Sequence, residues 1–280
     1  MIVVTGATGN VGRPLVRALA EAGERVTAVS RGTPADLPDG AAHVRADLSR
    51  PETLRPAFDG AETLFLHDGG AGGQGLGSGA VLDAARDAGV RRVVLLSSQG
   101  VATRPESPSH GGVMAAREEA VRGSGLAWTI LRPGAFASNA YGWAESVRAE
   151  RTVAAPFGDV GIPMIDPADI AAVAAAALRE DEHAGRVYEL NGPAAVTPRQ
   201  QAAAIGAALG EPVRFVELTR AQAHERMSAF MPEPVVETTL RILGEPRPAE
   251  LRLSPDVERV LGRAPRTFAE WARANVAAFR

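Results

Sequence analysis

Three glycines near the amino terminus, Gly6, Gly9 and Gly12, stand three residues apart between an apolar run, Ile2 to Thr5, and a stretch of helical periodicity ending at Gly23. Such a triplet can be only a tight connection, but its chemical use is to hold an anion. Gly6 lets the chain turn sharply off a strand, Gly9 removes the Cβ that would block a diphosphate, and Gly12 lets the next helix pack close to the sheet. The backbone N–H groups from Thr8 through Asn10 and Val11, with the positive end of the helix dipole, then face the phosphates. The GxxGxxG spacing carries one residue more than the GxGxxG dinucleotide fingerprint.

An anion cradle works only if other elements bring the rest of a dinucleotide site to it. Arg25 to Ser30 reads as a second strand ending at Arg31. An Asp or Glu there would take a ribose 2′-hydroxyl, whereas a guanidinium suits a 2′-phosphate, so Arg31 predicts NADP(H) in preference to NAD(H). Ala42 to Ala46 predicts a third strand leading to Asp47, which either accepts from the adenine amino group or caps the next helix. Thr63 to Leu66 predicts a fourth, followed by seven glycines within His67 to Gly79. Gly69 in that loop would let the backbone pass close to the dinucleotide. A helix over Val81 to Ala88 and a strand over Arg92 to Leu96 lead to Ser97 and Ser98. Strand alternating with helix five times predicts an α/β, doubly wound parallel sheet of the Rossmann type, with ligands at the carboxyl ends of its strands.

Composition narrows the chemistry. The 280 residues contain no cysteine, which removes disulfides, thiolate metal sites and a cysteine nucleophile. All 30 basic residues are arginine, so a Walker-type lysine, a Schiff base and a Tyr-Lys catalytic pair are excluded. The five histidines (43, 67, 110, 183, 224) show no HxxH or HExxH spacing, and no catalytic metal is expected. A net charge of −3 without an arginine cluster argues against nucleic acid as a partner. No apolar run reaches the length of a membrane span, and the first strand starts at Ile2 with no leader before it, so a cytoplasmic protein is expected.

The stretches Thr5 to Gly12, Val29-Ser30-Arg31, Ala46-Asp47-Leu48, Val93 to Ser98, Ser124 to Pro133 and Asp169-Ile170-Ala171 together resemble the atypical, NmrA-like members of the short-chain dehydrogenase/reductase superfamily. These include NADPH:quinone oxidoreductase-like and triphenylmethane-reductase-like proteins. The resemblance adds Leu48, Ser97 and Pro133 to the expected cofactor-binding set and implies hydride transfer. It also exposes a departure. The superfamily's Tyr-xxx-Lys pair would fall near His110-Gly111-Gly112-Val113-Met114, where neither residue is present. Reduction to an unstabilised alkoxide needs a strong proton donor, whereas a quinone yields a phenolate-like anion of pKa about 10. The lead expectation is therefore an NADPH-dependent reductase of a quinone or another electron-poor conjugated molecule. A non-enzymatic NADP(H) sensor, or a biosynthetic enzyme acting on an aromatic metabolite, are the alternatives. His110, Ser98 and Tyr141 are the catalytic candidates, although His110 in its Ser/Pro/Gly loop reads more readily as a bystander than as an acid.

The second half carries a loop over about 134–165 with Phe136, Asn139, Tyr141 and Trp143, which either line a flat apolar substrate or pack against the sheet. Asp166-Pro167-Ala168-Asp169 reads as a helix start. Val187 to Leu190 reads as a returning strand. Capping boxes at Thr197/Gln200, Thr219/Gln222 and Thr267/Glu270 mark later helices, with Ser254-Pro255 opening another and Val213 to Leu218 a strand between them. Pro232, Pro234, Pro246 and Pro248 bracket a candidate lid. The expected organisation is a Rossmann domain over 1–192 and a mostly helical substrate-side subdomain over 193–280, as a monomer or homodimer.

Overall fold

Val3, Val4, Phe65, Val93, Val94 and Ile130 are wholly buried, as strands covered on both faces must be. A computed structural model describes residues 1–34, 36–67 and 78–280. Its main sheet contains β1 (Ile2–Thr5), β2 (Val26–Ser30), β3 (Ala41–Arg45), β4 (Thr63–Leu66), β5 (Arg92–Leu96), β6 (Ala127–Pro133) and β7 (Arg186–Leu190). All pairings are parallel, in the order β3-β2-β1-β4-β5-β6-β7. This is the Rossmann arrangement, with strand order reversing between β1 and β4. The expected returning strand is β7, one residue longer than its apolar run and lying against β6.

Helices cover both faces. α1 (Gly12–Glu21) sets Leu15, Val16 and Leu19 on one side beside Ile170 and Ala174 of the long helix Pro167–Arg179. Ser78–Asp87 and Gly112–Gly123 cover the other, where Leu82 and Val121 meet Phe58 and Leu64. Asp166 starts the long helix as expected: its carboxylate accepts from Ala168 N at 2.8 Å, with Pro167 as the first helical residue.

A second core forms from two distant parts of the chain. Ala137, Val147, Val153 and Met164 pack with Ile205, Phe268, Trp271 and Phe279. Strand Thr152–Pro156 pairs in parallel with Arg214–Leu218, and Ile162–Ile165 lies between Ala135–Phe136 and Ala195–Val196. The three threonine capping boxes are all closed reciprocally in the structure. The last segment also returns to the first core. Val257 is buried there, and Asp256 Oδ2 accepts from Glu189 N of β7 at 2.9 Å.

Candidate active site

The glycine turn sits on the carboxyl edge of the sheet, at the point where strand order reverses. Gly6 leaves β1 with φ +63°, a conformation that L side chains resist. It faces His67, which follows β4: Thr5 Oγ1 accepts from His67 N at 2.7 Å and donates to Phe65 O at 3.0 Å, tying the two strand ends together. At Gly12 a Cβ would stand 2.1 Å from Gly6 O and 2.7 Å from Ala7 Cα, so no side chain fits. At Gly9 the same atom would be 3.2 Å from Gly6 O. α1 has no side-chain cap, and its first ladder bond runs from Arg13 N to Gly9 O at 3.0 Å. Among the described residues, the N–H groups of Thr8, Asn10, Val11 and Gly12 have no acceptor. Thr8 and Asn10 are exposed, Gly9 is half-buried, and Val11 is buried with its side chain in the core. Uncapped donors at the open end of a helix, with no Cβ in the way, fit a diphosphate.

The neighbouring strand ends bring most of the other expected residues to the same edge. Arg31 is exposed just past β2, while Ser30 Oγ is held between Gly32 O at 2.5 Å and His43 Nε2 at 3.0 Å. Asp47 is turned onto its own chain, accepting Ser49 N at 3.0 Å and Ser49 Oγ at 2.8 Å. Those bonds hold its carboxyl below the usual carboxylate range. Leu48 is half-buried and packs against the second face of the sheet. Gln99 N donates to the carbonyl of buried Pro133 at 3.0 Å, and the Gln99 side chain lies against Gly134. Gly69 and Asp68, with most of the glycine loop, lie outside the described residues.

Ser97 and Ser98 are both engaged. Ser98 Oγ accepts from Gly100 N at 3.1 Å, closing the turn into helix Gly100–Thr103. Ser97 is buried and donates to Glu118 Oε1 at 2.7 Å. Glu118 is fully buried and takes the Arg132 guanidinium on both oxygens, at 2.8 and 2.7 Å, with Arg122 at 3.0 Å. Burial alone would raise its pKa, but the bonds from Arg132 and Ser97 and the two guanidinium charges bring it below the usual range. Sequence reading missed this network. Its signal was Arg132 inside an otherwise apolar strand, which requires a buried partner.

Ser98 and His110 both border Gly100, and Tyr141 belongs to the second core. Tyr141 packs with Trp271, ring centroids 5.2 Å apart, and with Phe279 at 6.2 Å, and it donates its hydroxyl to Asn275 Oδ1 at 2.6 Å. Burial raises its pKa further. The loop aromatics are therefore largely packing groups: Tyr141 and Trp143 join the second core and Phe136 the first. His110 lies nearer the β5 end, its carbonyl 3.1 Å from where a Gly100 Cβ would be. Its Nδ1 is 2.9 Å from Ser109 Oγ, which also reaches Pro234 O at 3.2 Å on the candidate lid. Burial and the Arg104 charge lower its pKa against the opposing pull of Glu250, which keeps the ring neutral near pH 7. Arg104 itself forms a buried two-bond pair with Glu250, at 2.7 and 2.9 Å, clamping the loop after β5 to the carboxyl-terminal segment.

Strand order, glycine turn and uncapped helix together define a dinucleotide-binding Rossmann unit. Residues 6–181 match the model of the NAD(P)H-binding family, and the chain belongs to that family. It is similar to the (4-alkanoyl-5-oxo-2,5-dihydrofuran-3-yl)methyl phosphate reductase of Streptomyces griseus subsp. griseus, with 38% identity over 100% of this chain and 99% of the relative. The NAD(P)H azoreductase of Xenophilus azovorans is 35% identical over 100% and 99%. Among solved structures, an NADPH-dependent quinone oxidoreductase of Escherichia coli complexed with NADPH aligns with TM-score 0.75 and 25% identity, covering 98% of this chain and 99% of that one. Both sequence relatives are named as reductases, and no helix of the described residues is long and apolar enough to cross a membrane.

Proposed function

We propose that this protein is an NADPH-dependent reductase of electron-poor conjugated small molecules, acceptors whose reduced anion is already delocalised. The observation that carries this is the state of the tyrosines. The chain has two and no lysine; Tyr141 is bonded to Asn275 at 2.6 Å and Tyr188 to His183 at 2.8 Å, so each phenol is engaged with a side chain that is not an ammonium. Bound, the reduced nicotinamide supplies a hydride. The chain's own part is to hold the diphosphate on the turn from Gly6 to Gly12, to meet the adenosine 2′-phosphate with Arg31, and to orient the acceptor over the ends of β4 to β6. It offers no phenol–ammonium pair to protonate a basic alkoxide, and neutral His110 is a hydrogen-bonding group rather than a strong acid. The acceptor must therefore stabilise its own charge and take its proton from solvent.

The relatives' names are in keeping with this. An azo group, a quinone and an unsaturated lactone bearing an acyl group all spread the added charge over nitrogen or oxygen atoms, although they share no skeleton. The test is oxidation of NADPH by the purified protein against a panel of quinones, azo dyes and 2-acylbutenolides, with simple aliphatic ketones as controls. Turnover is expected on activated acceptors alone. Comparable turnover on an aliphatic ketone overturns the proposal, and tight NADPH binding with no turnover on any acceptor replaces it with a sensing role.

A further inference from the structure

Among the described residues, two clusters bring one imidazole and two carboxylates within 4.8 Å of one another. One, on helices Arg220–Ser228 and Glu233–Gly244, is already satisfied: His224 Nε2 lies 2.9 Å from Glu233 Oε1, and Arg220 holds Glu237 at 2.8 Å. The other is not. Glu180, Glu182 and His183 occupy the turn between helix Pro167–Arg179 and β7, at the amino edge of the sheet, opposite the glycine turn.

His183 is 4% exposed; its ring is held at Nδ1, 2.8 Å from Tyr188 Oη, and its backbone carbonyl accepts from Thr129 Oγ1 at 2.8 Å. Its Nε2 is buried without a hydrogen-bond partner, and Glu180 Oε2 stands 3.4 Å away. A buried polar atom left this way costs about 1–3 kcal/mol unless something satisfies it. We propose that His183 Nε2, Glu180 and Glu182 form a structural binding site for a divalent ion of the zinc type.

The spacing supports this. Zinc sits about 2.0–2.2 Å from nitrogen and oxygen ligands, so two ligands at a tetrahedral angle stand roughly 3.3 Å apart, close to the observed separation. One nitrogen with two carboxylates suits zinc better than magnesium or calcium, which take oxygen ligands. Tyr188 is the outer partner a metal-bound imidazole requires: Nδ1–H donates to its oxygen and leaves the Nε2 lone pair facing the carboxylates. Glu180 and Glu182 are exposed, which leaves the fourth position open to water. An ion there would pin the turn to β7.

The experiment is calorimetric titration of the chelator-stripped full chain with ZnCl2, alongside thermal unfolding. Wild type is expected to take up one saturable equivalent and unfold at higher temperature with zinc, while MgCl2 has no comparable effect. Glu180→Gln and Glu182→Gln, both at exposed positions that leave the fold intact, should weaken zinc at least tenfold, Tyr188→Phe about 10- to 100-fold, and Glu237→Gln not at all. Absence of saturable zinc binding overturns the proposal. So does binding that survives both carboxylate changes, or binding lost in Glu237→Gln instead.

Discussion

Replacing Gly9 and Gly12 separately by alanine distinguishes the two tasks assigned to the glycine turn. Gly12 is the first residue of α1, where alanine would ordinarily gain up to about 1 kcal/mol over glycine. Here its Cβ would fall 2.1 Å from Gly6 O, against a floor near 3.0 Å for real contacts, so α1 must move by roughly 0.9 Å. That helix cannot yield freely, because Leu15 and Leu19 are 0% exposed against the long helix and the sheet. Overpacking of this kind costs about 1–3 kcal/mol, which exceeds the propensity gain. Net of that gain the cost is about 1–2 kcal/mol, so Gly12→Ala is expected to lower Tm by roughly 2–8 °C and to weaken NADPH binding as well. At Gly9 the Cβ meets Gly6 O at 3.2 Å, a strain of a few tenths of an ångström, and φ there is not positive. Gly9→Ala should leave Tm within about 2 °C while weakening NADPH at least tenfold, about 1.4 kcal/mol, because the new methyl occupies the diphosphate's approach. Fluorescence titration with NADPH and thermal unfolding read the two effects. Wild-type affinity in Gly9→Ala would refute the cradle, and wild-type Tm in Gly12→Ala would refute the packing argument.

Arg31→Ala should weaken NADPH by roughly 10- to 150-fold, the worth of a charge-assisted bond, and leave NADH nearly unchanged; equal losses in parallel titrations would remove the 2′-phosphate assignment. Tyr141→Phe should cost about 1 kcal/mol of stability through the lost bond to Asn275 while kcat on an activated acceptor stays within twofold. A tenfold fall in kcat with unchanged Tm would put the phenol in the chemistry. Glu118→Gln should lower stability at pH 7 by about 3 kcal/mol, roughly 6–12 °C in Tm, because Arg132 is left beside an uncharged partner. The folded pKa of Glu118 lies below its ordinary value of about 4.5, so this stabilisation is complete above that pH and lost as pH falls through the lowered value. The gap between wild type and variant should accordingly hold above pH 4.5 and narrow in unfolding scans carried further into acid, and a gap that stays constant down to acid unfolding would refute the role given to the carboxylate's charge.

What could be read from sequence was whatever has a short-range cause. Glycines at fixed offsets, apolar runs of four to seven residues and threonine capping boxes all act over a few positions, and each appears where its residues predict. Long-range pairing was not legible. Nothing near Tyr141 announces Asn275, and nothing near Arg104 announces Glu250, 146 residues away. The same holds for the second core, whose halves are separated by the long helix and β7. Asp47 shows the intermediate case: it is readable as an acceptor for the adenine amino group or as a helix cap, and the structure turns the carboxylate onto Ser49 in the strand-to-helix turn.

The two cores also divide the problem of specificity. The first, with its seven parallel strands, carries the glycine turn at its carboxyl edge; in the proposed reaction the acceptor approaches over the ends of β4 to β6. The surfaces next to that approach come from the other core and the segments tied to it: the 3-10 turn Ala137–Trp143, the Ser109 contact with Pro234, and the Arg104–Glu250 clamp. None of these carries a group able to force a proton onto a basic anion. Shape can therefore change in this part of the chain without altering what the chemistry demands, since the demand for a self-stabilised anion arises from the missing tyrosine–lysine pair and not from any substrate contact. That separation is in keeping with the names of the proteins this chain is similar to, an azoreductase, a quinone oxidoreductase and a reductase of an acylated unsaturated lactone.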